Sequence, residues 1–210
     1  MDLKEKKINC LGDSITEGYG TTHIENTYWN RLAANTGATV RGYGIGGTRI
    51  ARQHSPSENP VYDRWFCSRV SEMDPDADVI VVFGGTNDYG HGDAPFGTPE
   101  DRTDDTFCGA VHTLCRLLIE RYPAATIVLM TPAHRADEFE NGRRLADYVA
   151  AEKAIAAQYS LPVLDLWSMG GMCSAIDAQR DLYYVPDGLH LSDAGHARVE
   201  QRLRKFLESL

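Results

Sequence analysis

The hydrophobic pattern along the chain switches back and forth between two periods. Short apolar runs alternate with longer stretches in which apolar residues recur at helical spacing. The short runs predict strands at Lys7–Leu11, Thr39–Tyr43, Asp78–Phe83, Thr126–Met130 and Leu161–Leu164. The third, DVIVVF, is almost continuously apolar, as a strand buried on both faces should be. The longer stretches predict helices at Tyr28–Thr36, Tyr62–Ser71, Asp104–Tyr122 and Gly142–Tyr159, with a last one at Ser192–Leu207. Local signals support several boundaries. Gly37 follows RLAANT, and Pro123 follows Tyr122, where a helix must stop. Ser192 opens SDAGHARVEQRLRKFL as an N-cap, with Asp193 in the first turn. Alternation of this kind predicts a parallel sheet covered by helices on both faces. In such sheets, sites form in the loops leaving the carboxyl ends of the strands.

The loops at that edge carry distinctive residues. After the first predicted strand comes GDSITEGYG, and after the second GIGGTRIA, Gly44 to Ala51. After the third comes GGTNDYGHG, Gly84 to Gly92, and just before the last helix VPDGLHLSDAGH, Val185 to His196. Together they offer a serine, exposed backbone amides, an asparagine amide and an Asp-x-x-His pair. Acyl transfer needs such a set. A serine hydroxyl is a poor nucleophile until a base takes its proton, and histidine titrates nearest neutral pH. The imidazole needs a carboxylate on its other nitrogen to fix the tautomer and stabilise the imidazolium. Asp187, three residues before His190, can reach Nδ1 within one turn while Nε2 points elsewhere. Negative charge developing on the substrate oxygen needs preorganised N–H donors. The candidates are the backbone N–H groups of Ser14 and Gly47, with Gly46 as the neighbouring possibility, and the side-chain amide of Asn87.

These loops resemble the four signature blocks of the SGNH (GDSL) hydrolase superfamily, spread in order over nearly the whole chain. The first block is matched by Gly12-Asp13-Ser14, with Ile15 where the family name has a leucine. The glycine block maps onto GIGGT, the G-x-N-D block onto Gly85-Thr86-Asn87-Asp88, and the D-x-x-H block onto Asp187-Gly188-Leu189-His190. The resemblance implies a flavodoxin-like three-layer α/β/α sandwich around a mostly five-stranded parallel sheet. It also implies serine esterase, lipase or carbohydrate deacetylase activity, with no metal and no organic cofactor. The G-x-S-x-G elbow of the ordinary α/β-hydrolases is absent around Ser14 and elsewhere.

Each candidate has a plainer reading beside it. Ser14 can cap a helix, the glycines can simply make a tight turn, and Asn87 can bond its own backbone. Asp88 and Asp13 are read as structural, Asp13 as a loop anchor. His196, inside the last helix, is read as solvent-facing or packed. Cys108, His112 and Cys115 share helical spacing, but a metal there lacks a fourth ligand, so helix packing is the reading. Three residues are candidates for substrate contact. Tyr89 and His91 stand beside Asn87, and Arg49, following the glycine block, can bind a polar substrate or pair with an acid. Tyr183 and Tyr184 offer either a stacking platform or core packing. The Gly/Pro-rich stretch from Tyr89 to Phe107 is either a lid at the catalytic edge or a solvated surface loop.

Bulk composition narrows the partners. At 210 residues and 42% hydrophobic content, without a linker or a repeat, residues 1–210 read as one domain. A net charge of −9 disfavours nucleic acid and anionic membranes. The lysines of MDLKEKKINCLGDS are not followed by an apolar run of signal-peptide length, and nothing reaches the length of a membrane span. Cys10, Cys67, Cys108, Cys115 and Cys173, odd in number and without paired spacing, read as free thiols in a reducing compartment. A cytoplasmic enzyme is expected, without membrane insertion, its oligomeric state open. The expected reaction is cleavage of small-molecule carboxylic esters through an acyl-enzyme, with a small acyl group on a polar or carbohydrate-like alcohol. A lysophospholipase or thioesterase is the enzymatic alternative. A binding protein that keeps the site without chemistry is the alternative of another class.

Overall fold

The computed structural model describes residues 1–140 and 142–210. Five parallel strands form its central sheet: β1 (Lys7–Gly12), β2 (Thr39–Gly44), β3 (Val79–Phe83), β4 (Thr126–Met130) and β5 (Val163–Leu164). Their spatial order is β2-β1-β3-β4-β5, the flavodoxin-like order, in which the chain reverses its direction of travel beside β1. In β3 every residue is buried, and the alternation of its side chains feeds two separate cores. Ile80 and Val82 join Leu11, Ile127 and Leu129 on one face of the sheet. Val79, Val81 and Phe83 join Ile8, Cys10, Val128 and Met130 on the other. Helices α3 (Phe66–Arg69), α5 (Phe107–Arg121) and α6 (Leu145–Gln158) cover the first face. Helices α2 (Tyr28–Thr36) and α9 (Asp193–Ser209) cover the second. Each fully buried Val, Leu or Ile of these layers contributes about 1.5–3 kcal/mol relative to exposure. The chain is therefore a three-layer α/β/α protein of the expected class.

Several boundaries moved, each for a local reason. The helix predicted at Tyr62–Ser71 is broken into a 3₁₀ turn at Pro60–Asp63, α3, and a second 3₁₀ turn at Val70–Glu72. Arg64 and Trp65 leave helical angles there, and the Trp65 indole N–H donates to Asp104 Oδ2 at 2.7 Å. Helix α5 begins at Phe107 rather than Asp104 because the Thr106 hydroxyl caps it, accepting from Gly109 N at 3.2 Å. Helix α6 begins at Leu145 rather than Gly142, since Arg143–Arg144 pair in an antiparallel ladder with Phe139–Glu140. The fifth strand shortens to two residues. Four short helices were not anticipated: α1 (Ser14–Glu17), α4 (Thr86–His91), α7 (Leu166–Met169) and α8 (Asp177–Tyr183). Two of these, α1 and α4, carry candidate site residues.

The stretch from Tyr89 to Phe107 starts in α4 and then folds back on the body of the protein. Phe107 N donates to Pro95 O at 2.9 Å and Cys108 N to Phe96 O at 3.0 Å, while Phe96 packs on Phe107 and Tyr148. Among the described residues, no helix is long and apolar enough to cross a membrane.

Candidate active site

The carboxyl ends of β1, β2 and β3 feed a cleft of about 440 Å³. At the end of β1, Asp13 caps α1, its carboxylate accepting from Ile15 N at 3.0 Å. That cap places Ser14 in the first turn, its side chain at the cleft and its backbone N–H without a partner among the described residues. Gly44 lets β2 end against this turn, because a Cβ there would lie 2.1 Å from Glu17 N. Buried Arg69 ties the end of β1 to the end of β2 and the loop that follows it. It donates to Tyr43 O at 2.8 Å, to Gly12 O at 3.0 Å and to the Thr48 hydroxyl at 3.0 Å.

The glycine loop after β2 is held from two sides. Gly46 N donates to Glu17 Oε2 at 3.0 Å, so that amide is already engaged. Gly47, at φ 72°, takes the left-handed conformation that favours glycine, and its N–H has no partner among the described residues. Between the two neighbours, the free donor is therefore on Gly47. Farther along, Ile50 N and Ala51 N each donate to the Asp88 carboxylate at 2.9 Å. Asn87, next to it on α4, donates from Nδ2 to Thr48 O at 2.9 Å. The segments after β2 and β3 are thus clamped to each other by buried hydrogen bonds. Burial pushes Asp13 up to about 7 and Asp88 up to about 6, and lowers Arg69 to about 10.

Across the cleft, the turn before α9 brings in the other two candidates. Ser14 Oγ lies 2.8 Å from His190 Nε2, and His190 Nδ1 lies 2.6 Å from Asp187 Oδ2. The other Asp187 oxygen accepts from Leu189 N at 2.8 Å and His190 N at 2.9 Å. Burial raises the Asp187 pKa, but these bonds outweigh it and hold the carboxyl below its usual range. The turn itself is pinned by a bridge between Tyr184 and Leu191 and by Ala136 N donating to Gly188 O at 2.8 Å. Chemically, the arrangement offers a hydroxyl beside a ring nitrogen, a carboxylate on the far side of the ring, and unengaged N–H groups next to the hydroxyl. That is the equipment for base-assisted attack on a carbonyl.

Of the three residues expected to touch substrate, only His91 lines the cleft. Arg49 is 5% exposed and donates to the His91 carbonyl at 3.0 Å, with contacts to Ser57 and Tyr62 as well, so its role is internal. Tyr89 lies in the core against Tyr148, with the Arg135 guanidinium over its ring. Tyr184 is buried and Tyr183 packs on the same core, which favours the packing alternative over a platform. No residue of 92–107 lines the cleft, so the lid reading finds no support there. His196 is fully buried, accepts from Tyr28 N at 3.2 Å, and is lowered to about 4 by burial. His112 lies 3.1 Å from the Tyr159 hydroxyl through Nδ1 and 3.0 Å from the Pro99 carbonyl through Nε2, and no group of three or more side chains that could hold a metal occurs among the described residues.

Five further residues reach the cleft. Glu17, Tyr19, Asn59, Val61 and Tyr62 line the cleft. Tyr19 lays its ring against His190 at 4.3 Å between centroids. Glu17 and Tyr19 stand in the same block as Ser14, so nearness to the serine is their signal in the sequence. Asn59 to Tyr62 carry no signal of their own and arrive through the fold.

Residues 10–198 match the sequence model of the GDSL-like lipase/acylhydrolase family. A GDSL lipase of Mycobacterium tuberculosis is 24% identical over 99% of this chain and 84% of its own. A crystal structure of a Lactobacillus plantarum protein is 34% identical, covers 98% of both chains and superposes with a TM-score of 0.85. A two-domain esterase active on acetylated mannans shares the fold, at 21% identity and a TM-score of 0.63, over 99% of this chain and 50% of its own.

Proposed function

This chain belongs to the GDSL-like lipase/acylhydrolase family and is a serine ester hydrolase, and on that premise we propose that it removes small acyl groups from polar, sugar-like alcohols, with Ser14 as nucleophile. One observation carries the reading: Ser14 Oγ, His190 and Asp187 stand in line at 2.8 Å and 2.6 Å. His190 Nε2 takes the Ser14 proton as Oγ bonds to the ester carbonyl carbon. The carbonyl oxygen, now negative, accepts from Ser14 N–H, Gly47 N–H and the Asn87 amide. Collapse of this intermediate breaks the bond to the alcohol, which leaves with the proton held on Nε2. Water, deprotonated by the same nitrogen, attacks the acyl-Ser14 ester and releases the acid. Asp187 holds the ring by Nδ1 and balances its charge throughout.

The alcohol side of the proposal rests on the walls of the cleft. Glu17 and Asn59 supply polar groups, while Tyr19 and Tyr62, 59% and 39% exposed, present rings on which a flat polar substrate can stack. The two-domain esterase sharing the fold is active on acetylated mannans, which points the same way. The test is hydrolysis of p-nitrophenyl acetate, butyrate and octanoate by the wild type and by Ser14→Ala. Activity that falls with chain length and vanishes in the variant is expected. Preference for octanoate would move the assignment to lipids. Equal rates in both proteins would remove Ser14 as nucleophile, and no activity on any ester would favour the binding-protein alternative.

A further inference from the structure

Asn87 and His91 lie one helical turn apart on α4 and face the same way. His91 Nε2 is 3.0 Å from Asn87 Oδ1. Behind the ring, Arg49 Nη2 is 2.6 Å from His91 Nδ1. A guanidinium has only N–H donors, so Nδ1 must be the acceptor. A neutral imidazole that accepts at Nδ1 carries its proton on Nε2, and that N–H meets Asn87 Oδ1. The two ends of the Asn87 amide are thereby distinguished. Oδ1 faces His91, and Nδ2 donates to Thr48 O at 2.9 Å, with its second N–H left for the cleft.

The chain of contacts is anchored at its far end. Arg49 is buried, also donates to the His91 carbonyl, and is confined by Ser57 and Tyr62. Burial, followed by the charges of Arg49 and Arg135, pushes His91 down to about 4, so the ring stays neutral in neutral solution and keeps its acceptor at Nδ1. A protonated ring would turn Nδ1 into a donor facing another donor.

We propose that Arg49 and His91 are positioning residues, a relay that fixes the Asn87 amide with its nitrogen rather than its oxygen towards the reacting carbonyl. The inference rests on the reading of Asn87 as an oxyanion donor. An amide oxygen and nitrogen are nearly the same size, so packing alone selects poorly between the two orientations. A flipped Asn87 would aim a lone pair at the oxyanion and turn a stabilising contact into a repulsive one. The relay acts on the transition state, where the charge develops, and therefore on kcat more than on KM.

The test is steady-state hydrolysis of p-nitrophenyl acetate by His91→Phe, His91→Gln, Asn87→Ala and the double variant Asn87→Ala/His91→Phe. Removing a donor of this kind typically lowers kcat by about 10²–10³-fold, so Asn87→Ala is expected in that range. Leaving the amide unoriented is the smaller loss, about tenfold in kcat for His91→Phe with KM within about twofold. Glutamine, which presents both an acceptor and a donor, is expected to recover most of that loss. In the Asn87→Ala background, His91→Phe is expected to change kcat by less than about twofold, because the relay has nothing left to orient. His91→Ala, which adds no bulk, carries the same expectations if the phenylalanine variant folds poorly. Equal losses in both backgrounds, a change confined to KM, or glutamine no better than phenylalanine would overturn the relay while leaving Asn87 as donor. An Asn87→Ala protein with undiminished kcat would overturn the donor reading itself, and the relay with it.

Discussion

The two sides of the cleft are built in opposite ways. On the Ser14 side, the strand-end loops are fixed by buried polar groups: Asp13, Asp88, Arg69 and Arg49 are each 5% exposed or less. On the His190 side, a turn outside the sheet carries Asp187, whose side chain is 40% exposed. The first side depends on groups from several segments satisfying one another. The second is a local turn in which one carboxylate accepts from the Leu189 and His190 amides and meets the ring, held to the rest of the molecule by the Tyr184–Leu191 bridge and Ala136 N. Damage should therefore read out differently on the two sides. In the buried scaffold, a broken bond strands a desolvated donor and costs stability. On the exposed turn, it misdirects a ring and costs rate.

The largest expected effect joins the two sides. Ser14→Ala and His190→Ala take one residue from each, and each is expected to lower kcat by about 10⁴–10⁶-fold. The double variant should be little worse than either single one, since the pair acts as a unit. Losses that multiply would mean that the two sides work independently.

Two asparagine substitutions then sharpen the contrast. Asp187→Asn keeps an oxygen for the Leu189 and His190 amides but offers a donor to His190 Nδ1, which selects the wrong tautomer. A kcat loss of about 10⁴-fold, with a Tm close to wild type, is expected. Asp88→Asn is the reverse case. It can accept from only one of Ile50 N and Ala51 N by its oxygen, and the other is left buried beside a donor. A cost of about 1–3 kcal/mol is expected, seen as a Tm lower by several degrees. If Asp88→Asn left Tm unchanged, the clamp would not be a source of stability.

The smallest effect is a difference in pH dependence. Burial, with the charges of Asp88 and Asp13 adding to it, raises Glu152 well above its ordinary 4.5, and burial also raises Asp13. Each binds its proton more tightly folded than unfolded. The stability each contributes is full below the unfolded value and is lost as pH rises through the folded one. Asp187, held below 3.8, has the opposite sign, contributing above 3.8 and losing its contribution as pH falls through its folded value. Glu152 Oε1 has no hydrogen-bond partner among the described residues, so Glu152→Gln breaks no such bond there. Its Tm is expected to fall less than that of wild type between neutral and alkaline pH, measured by calorimetry across a buffer series. Parallel curves for the two proteins would contradict the assignment.

The same contrast governs what the sequence made legible. Strand positions followed from apolar runs such as VIVVF, because burial on both faces leaves little choice of residue. The Asp187–His190 pair was legible because its geometry is local, and four consecutive residues contain it. Arg49 was misplaced for the opposite reason. Its partners Ser57, Tyr62 and His91 come from segments whose approach only the folded chain defines. The sequence predicts a loop from Thr86 to His91, and only the helix formed there has the one-turn spacing that sets His91 behind Asn87. The sequence predicts Tyr62 on a continuous helix; in the structure that helix breaks at Arg64 and Trp65, and Tyr62 lines the cleft.

The most direct test of the Ser14 assignment is covalent capture. Wild-type protein and Ser14→Ala would be treated with a fluorophosphonate, which phosphonylates an activated serine, and analysed by intact mass and peptide mapping. Addition of one phosphonyl group to wild type, mapped to Ser14, and none to the variant is expected. Equal labelling of both proteins, or an adduct mapped to another residue, would contradict the assignment.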